Sequence, residues 1–423
     1  MPVWLRKEIQ TLPRPGSLVA VNLPPLDTLE PIRGIRIGTA CAGIKQTKRD
    51  DMVVLLLDAG ACVSGVFTQS AFKAAPVRIC ERHLAAGNPR ALVINSGNAN
   101  AATGSAGMDD ALQSCHWVAE GLGIEAEEVL PFSTGVIGQR LPLGKMSEGI
   151  AAACRQMSDS WNSAALAIMT TDTGPKALSR TVNVGGVPVT ITGIAKGAGM
   201  IRPDMATMLA YIGTDAAISR DCLDVLVKEA ADASFNRITV DGDTSTNDSF
   251  VLIATGAAGN PLIDAENHAG YAPLRDGITA VARELAQRII RDGEGATKFI
   301  TVTVRGGRDA AECLQVAYTV AQSPLIKTAM FASDPNWGRF CMAIGRAGIG
   351  GLDADKVALY LDEVCVARSG MIAPEYTEQA GARVMAQAEF TVCIDLGRGA
   401  AVETVWTCDF SYEYVRINAE YRT

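Results

Sequence analysis

Histidine is scarce in this sequence: His83, His116 and His268 are the three among 423 residues. None stands beside a serine or cysteine motif, so Ser-His-Asp or Cys-His catalysis lacks an obvious imidazole base. The eleven cysteines include no CxxC pair and no histidine at ligand spacing, which argues against a metal centre or a disulfide framework. Cys41, Cys62, Cys115, Cys154, Cys222, Cys341 and Cys393 stand in apolar or mixed surroundings and are expected to be small buried thiols in a reducing compartment. Runs of Lys and Arg are missing and the formal net charge is −8, the wrong sign for a nucleic-acid surface. No stretch nears the roughly 20 apolar residues that cross a bilayer. The opening MPVWLRKEIQ has no apolar run of a secretion signal, so the expected location is cytoplasmic. The glycine-rich Lys196–Gly199 has neither GxxxxGK[ST] nor GxGxxG spacing and is a poor phosphate loop. Aromatics make up 5% and glycines number 41, so packing must rest on small and aliphatic side chains.

What is present is a chain of short apolar runs separated by glycine turns. Prolines punctuate residues 1–30, which are expected to lie as an extended arm over the body. Met52–Leu57, Val63–Phe67 and Ala91–Ile94 read as strands. Asp109–Gly121 reads as a helix opening on acids and stopping at glycine. Alternating valines and isoleucines on both sides of Gly185–Gly186 predict a hairpin. Ser219 is placed to cap a helix running through Phe235, and a longer helix is expected from Leu274 to Asp292. Phe299–Val304 and the arms around Gly397–Gly399 alternate as strands. Helices and strands arrive mixed, with hairpins prominent, so the expected class is α+β and layered rather than a parallel doubly wound sheet.

One segment offers chemistry that needs no histidine: KGAGMIRPDMATML, residues 196–209. A threonine hydroxyl can attack the carbonyl before it and turn the amide into an ester, which water then cuts. Here that would free the α-amine of Thr207, with a reference pKa of roughly 7.7–8, to act as general base for its own hydroxyl. Small Ala206 leaves the scissile carbonyl accessible. On the local pattern alone, Thr207 reads more simply as a buried residue of an apolar strand, Met205–Ile212.

The same segment closely resembles the self-cleavage motif of the ornithine acetyltransferase family. So do GVFTQSAFKAAPV (65–77), INSGNANAATG (94–104), STGVIGQRLP (133–142), IMTTDT (168–173), TVDGDTSTND (239–248), DGEGATKF (292–299), SDPNWGR (333–339) and INAEYRT (417–423). These blocks run in one order along essentially the whole chain; Ser70, where asparagine is more usual, touches no catalytic position. The resemblance implies an αββα-type sandwich with two central sheets, cut between Ala206 and Thr207 into a 1–206 fragment and a 207–423 fragment that form one intertwined body. It implies Thr207 as nucleophile, and Thr134 with Gly135 as oxyanion hole. Thr170, Lys196, Thr207, Glu294, Asn418 and Thr423 are the implied substrate contacts. The implied reaction moves acetyl from N2-acetylornithine to glutamate through an acetyl-threonine ester. Acetyl-CoA is a second donor in some members, no metal or tightly bound cofactor is used, and the usual assembly is two of each fragment. Two alternatives stay open on the residues: a self-cleaving amidohydrolase or aminopeptidase in which water accepts the acyl group, and a binding protein of the same fold that never matures.

Overall fold

Side chains that alternate in and out of a strand can bury both faces of a sheet only if something covers each face. Met52–Leu57 is apolar at every position because both of its faces are covered. Val53, Leu55 and Leu57 point to one core, and Met52 and Val54 to another. The computed structural model describes residues 20–45, 48–202 and 208–420. The chain runs through β1 (Ile35–Ala40), β2 (Met52–Leu57), β3 (Cys62–Phe67), α1 (Ala75–Ala86), β4 (Ala91–Asn95), α2 (Gly104–Leu122), β5 (Val129–Ser133), α3 (Leu143–Arg155), β6 (Met157–Ser158) and α4 (Trp161–Ala167). It continues with β7 (Lys176–Val184), β8 (Val187–Lys196), β9 (Leu209–Thr214), α5 (Arg220–Asp232), β10 (Ile238–Thr239), β11 (Ser249–Ala254) and α6 (Tyr271–Arg291).

Two five-stranded sheets, ordered β5-β4-β2-β1-β6 and β3-β11-β9-β8-β7, form the centre. Between them lie Ile37, Val53, Leu55, Leu92, Ile94 and Phe132 of the first and Ile194, Tyr211, Val251 and Ile253 of the second. The outer face of the first sheet packs on α1, α2 and α3 through Val54, Val93, Ile79, Cys115 and Ile150. The outer face of the second packs on α5 and α6 through Ile191, Ile212, Leu252, Leu226 and Leu285. The fold is therefore α+β with helix, sheet, sheet and helix layers. Beyond it stand β12 (Phe299–Gly307), α7 (Ala310–Ala321), α8 (Pro324–Phe331), α9 (Trp337–Gly345), β13 (Ala358–Leu361), β14 (Val364–Arg368), β15 (Met371–Ile372), α10 (Glu378–Met385), β16 (Glu389–Asp395), β17 (Ala401–Cys408) and α11 (Tyr412–Ala419). These build a third sheet, ordered β10-β17-β12-β16-β13-β14-β15, with its own core of Val302, Val316, Val320, Phe340 and Val392.

Several expected elements shift. α2 opens at Gly104 rather than Asp109, because its weak Gly-Ser-Ala-Gly start is held from outside. Asn100 Nδ2 donates to the Gly107 carbonyl at 2.8 Å, and a Cβ at Gly107 would lie 1.9 Å from Thr103 Oγ1. Ser219 caps α5 as expected, accepting from Cys222 N–H, but the helix stops at Asp232 and Phe235 falls in a separate short turn. α6 starts three residues earlier than Leu274, at Tyr271, and its last residue is Arg291. The hairpin turns at Gly185 and Gly186, both with positive φ (61° and 90°), as a two-residue primed turn requires. The strands flanking Gly397–Gly399 do not pair with each other: β12 lies between them, parallel to β16 and antiparallel to β17. Of the proline-rich arm, residues 1–19 lie outside the described residues. Val21 is tied by its N–H to the Arg291 carbonyl at 2.8 Å. The eleven cysteines are free; Cys41 and Cys341 are exposed rather than buried, and Cys62, Cys154 and Cys393 are half-buried. Among the described residues no helix is long and apolar enough to cross a membrane.

Candidate active site

Parallel pairing of β4 and β5 sends both strands into turns at one end of the first sheet. Thr134 N–H donates to the Asn95 carbonyl at 3.0 Å, and Asn95 Nδ2 donates to Ser133 Oγ at 2.6 Å. Gly135 follows with φ 133°, and a Cβ there would sit 2.4 Å from the Gly97 carbonyl carbon and 2.6 Å from Asn98 N. Only glycine fits such a close backbone approach.

From the other sheet, Lys196 ends β8 and its Nζ donates to Thr134 Oγ1 at 3.1 Å. A hydroxyl that accepts from lysine keeps its own O–H free to donate elsewhere. Beneath Lys196 lies buried Asp172, which accepts from Thr170 N–H and Gly197 N–H, both at 2.7 Å, and from Lys176 Nζ. Burial opposes its ionisation, yet Lys176, Lys196 and the Gly197 N–H together hold its carboxyl below the usual range. Asp292 takes the other side of Lys176 and accepts from Thr173 N–H at 2.9 Å. The Lys196 ammonium is pulled below lysine's ordinary pKa by burial and by Lys176, against Asp172, Asp248 and Glu294. Behind Thr170, Lys45 Nζ donates to the Met169 carbonyl and to Ser96 Oγ. Burial, Arg49 and Lys196 push Lys45 down to about 7.

The opposite wall comes from later in the chain. Glu294 N–H donates to the Ala198 carbonyl at 2.8 Å, and its carboxylate faces Gly199, where a Cβ would lie 2.3 Å from Oε2. Asn418 of α11 donates from Nδ2 to Glu294 Oε2 at 2.9 Å. Asp241 accepts from Met200 N–H and Ile201 N–H at 2.6 and 2.9 Å, while Tyr414 of the same α11 donates to it at 3.3 Å. Between these walls is a cavity of about 260 Å³, at the small end of ligand pockets.

Thr134, Gly135, Thr170, Lys196, Glu294 and Asn418, singled out from the sequence, all line this cavity. Ala206, Thr207 and Thr423 lie outside the described residues; Met208, next to Thr207 in the chain, is on the wall. Sequence reasoning gave no role to Ser245–Asp248, which also line it, nor to Asp172 and Asp241, which hold it in shape. Their signal was the TVDGDTSTND and IMTTDT blocks, but a matching string does not say which of its carboxylates faces inward. No histidine is among the described residues on the cavity wall: His83 sits in α1 against the Val129 carbonyl at 2.8 Å, and His268 accepts from Gly270 N–H at 3.0 Å. Among the described residues no cluster of His, Cys, Asp and Glu is arranged to hold a metal ion.

The sequence model of the ArgJ family matches residues 36–423. The arginine biosynthesis bifunctional protein ArgJ of Bacillus halodurans is 34% identical, the match covering 50% of this chain and 98% of that one with a TM-score of 0.48. The ornithine acetyltransferase of Mycobacterium tuberculosis, solved with ornithine, is 34% identical over 42% of this chain and 95% of its own, with a TM-score of 0.37. The L-aminopeptidase D-Ala-esterase/amidase of Ochrobactrum anthropi, described as a variant of the Ntn hydrolase fold, is 12% identical over 65% of this chain and 90% of its own, with a TM-score of 0.37. With a family match running from β1 to the last residue, over a body that gathers the described residues of the implied site around one cavity, the chain belongs to the ArgJ family and is an acetyltransferase of arginine biosynthesis.

Proposed function

We propose that the chain cuts itself between Ala206 and Thr207 and then moves acetyl from N2-acetylornithine to glutamate through an ester on Thr207. The observation that carries this reading is the cavity wall. Thr134, Gly135, Thr170 and Lys196 reach it from before the break, and Met208, Asp248, Glu294 and Asn418 from after it. Thr134 Oγ1, its lone pair engaged by Lys196, and the Gly135 N–H serve as donors to the oxyanion that forms as Thr207 attacks the acetyl carbon. The Thr207 α-amine takes the hydroxyl proton. Lys196 and Thr170 suit the α-carboxylate of an amino acid, and Glu294, oriented by Asn418, suits the side-chain ammonium of ornithine. After ornithine leaves, glutamate occupies the same site and takes the acetyl group, which is why a single small cavity suffices for both half-reactions. The reaction draws on no metal or tightly bound cofactor, and the expected setting is cytoplasmic, with two of each fragment assembled.

The test is stoichiometry: one N-acetylglutamate formed per ornithine released supports transfer, whereas free acetate in equal amount makes the enzyme a hydrolase. Omitting acetylornithine and supplying acetyl-CoA with glutamate asks separately whether a second donor is used. Thr207→Ala should give an uncut, inactive chain by intact-mass analysis, and Thr207→Ser should keep part of both activities. Normal maturation of Thr207→Ala would remove Thr207 from the chemistry.

A further inference from the structure

Among the described residues three titratable ones line the cavity, Lys196, Asp248 and Glu294, and the reaction outlined above uses two of them. Asp248 is 2% exposed and stands one residue ahead of β11. Its carbonyl accepts from Thr68 N–H at 3.0 Å, and the N–H of the next residue, Ser249, donates to the Met208 carbonyl at 2.8 Å. Its backbone is thus fixed beside the residue that follows Thr207 in the chain. Ser245 stands close enough to favour the charged form of the carboxyl group, but among the described residues Oδ2 has no hydrogen-bond partner and no ion pair is formed. A buried carboxylate left this way is costly, and the group responds by keeping its proton. Burial accordingly pushes the Asp248 carboxyl well above its ordinary range, against Ser245 and Lys196. A neutral carboxyl carries an O–H, which makes it a proton donor on a cavity wall.

We propose that Asp248 is the general acid of acetyl transfer, giving its carboxyl proton to the nitrogen of the acetylated amine as the carbon–nitrogen bond breaks. The proposal rests on the Thr207 reading. In the first half-reaction the Thr207 oxygen bonds to the acetyl carbon and its proton passes to the α-amine. The electrons of the broken bond go to nitrogen, which takes the Asp248 proton and leaves as neutral amine. An α-ammonium and an Asp248 carboxylate remain. In the second half-reaction the glutamate amine attacks the ester and yields a proton to Asp248, while the Thr207 oxygen leaves and recovers its proton from the α-ammonium. Acid and base are then separate groups, so neither has to give up and regain a proton within one step.

A purely structural Asp248, needed only to finish the Ser245–Asn247 turn, makes a different prediction. Asp248→Asn keeps the size and one acceptor oxygen of the side chain but cannot transfer a proton. Acylation by N-acetylornithine, whose amine must be protonated to leave, should fall about a hundredfold or more. Acylation by p-nitrophenyl acetate, whose phenolate leaves without a proton, should fall far less, by no more than about fivefold. Asp248→Glu, which keeps the acid, should regain much of the amide reaction. Rates are taken per cut chain, counted by intact-mass spectrometry. Equal losses with both donors, a loss below about threefold on the amide, or an Asp248→Asn chain that is never cut would each overturn the assignment. Wild-type protein that releases no ornithine in the presence of glutamate would instead sink the acetyl-transfer reading itself.

Discussion

The contact from Lys196 to Thr134 decides which way the hydroxyl can point, and the proposed oxyanion role depends on that direction. Replacing Thr134 by alanine removes one of the two proposed oxyanion donors, so kcat should fall about a hundredfold with a much smaller change in KM; a steady-state comparison checks this, and a change confined to KM would make Thr134 a ground-state contact only. A second residue bears on the pH profile. If the Thr207 α-amine is the base, kcat/KM should rise through roughly pH 7–8. Lys45, pushed down to about 7, titrates over the same range and must be separated from it. Its pKa in the folded chain is below the unfolded value of roughly 10.4, so between about 7 and 10.4 the unfolded chain binds more protons there and stability rises with pH. Lys45→Met should reduce that rise, seen as a smaller gap between the denaturant midpoints at pH 7 and pH 9.5, while leaving the activity limb in place. Loss of the limb would assign it to Lys45. At this scale Thr134, Gly135, Thr170, Lys196, Glu294 and Asn418 were legible because the family's motifs name them. Asp248 was not: a buried, unpaired carboxyl is a property of surroundings, and the string TVDGDTSTND offers three aspartates without distinguishing them.

Elements formed where local pattern and packing agree. The Gly185–Gly186 turn, the β2 run and α6 needed little from elsewhere, since turn chemistry and periodicity act over a few residues. α2 begins five residues before the acids that announce it, because its opening turn has poor helix propensity and is held by Asn100. The arms beside Gly397–Gly399 alternate as strands, yet β12, about 90 residues earlier by the register Val302↔Val392, is what separates them; local pattern carries no record of such an insertion. Close approach between elements is also invisible locally. At Gly38 in β1 a Cβ would lie 2.0 Å from the Ala153 carbonyl oxygen of α3, so Gly38→Ala must push helix and sheet apart. A loss on the order of 2–3 kcal/mol is expected, measurable as a lower denaturant midpoint with little change in slope; an unchanged midpoint would mean that α3 shifts without penalty.

The whole molecule explains why the proposed break at Ala206/Thr207 need not separate the pieces. The second central sheet takes β3, β7 and β8 from before the break and β9 and β11 from after it, with β8 paired to β9 from Ile191↔Thr214 to Lys196↔Leu209. Both central cores mix residues from the two sides. Native gel filtration should therefore give one species, and denaturing mass spectrometry of the same sample two masses meeting at Ala206/Thr207. Fragments that part under native conditions would contradict the shared sheet. By itself the sequence determined the α+β class, the hairpin, the long helices, the family and the residues its motifs name, because short-range periodicity, turn chemistry and an ordered series of motifs are all written along the chain. Only the tertiary structure decided that a third sheet stands beside the sandwich, that residues from Thr134 to Asn418 share one small cavity, and that, among the described residues, Asp172 has a charged partner while Asp248 has none. Burial and charge pairing depend on distances between residues far apart in sequence, and those distances exist only once the layers have closed.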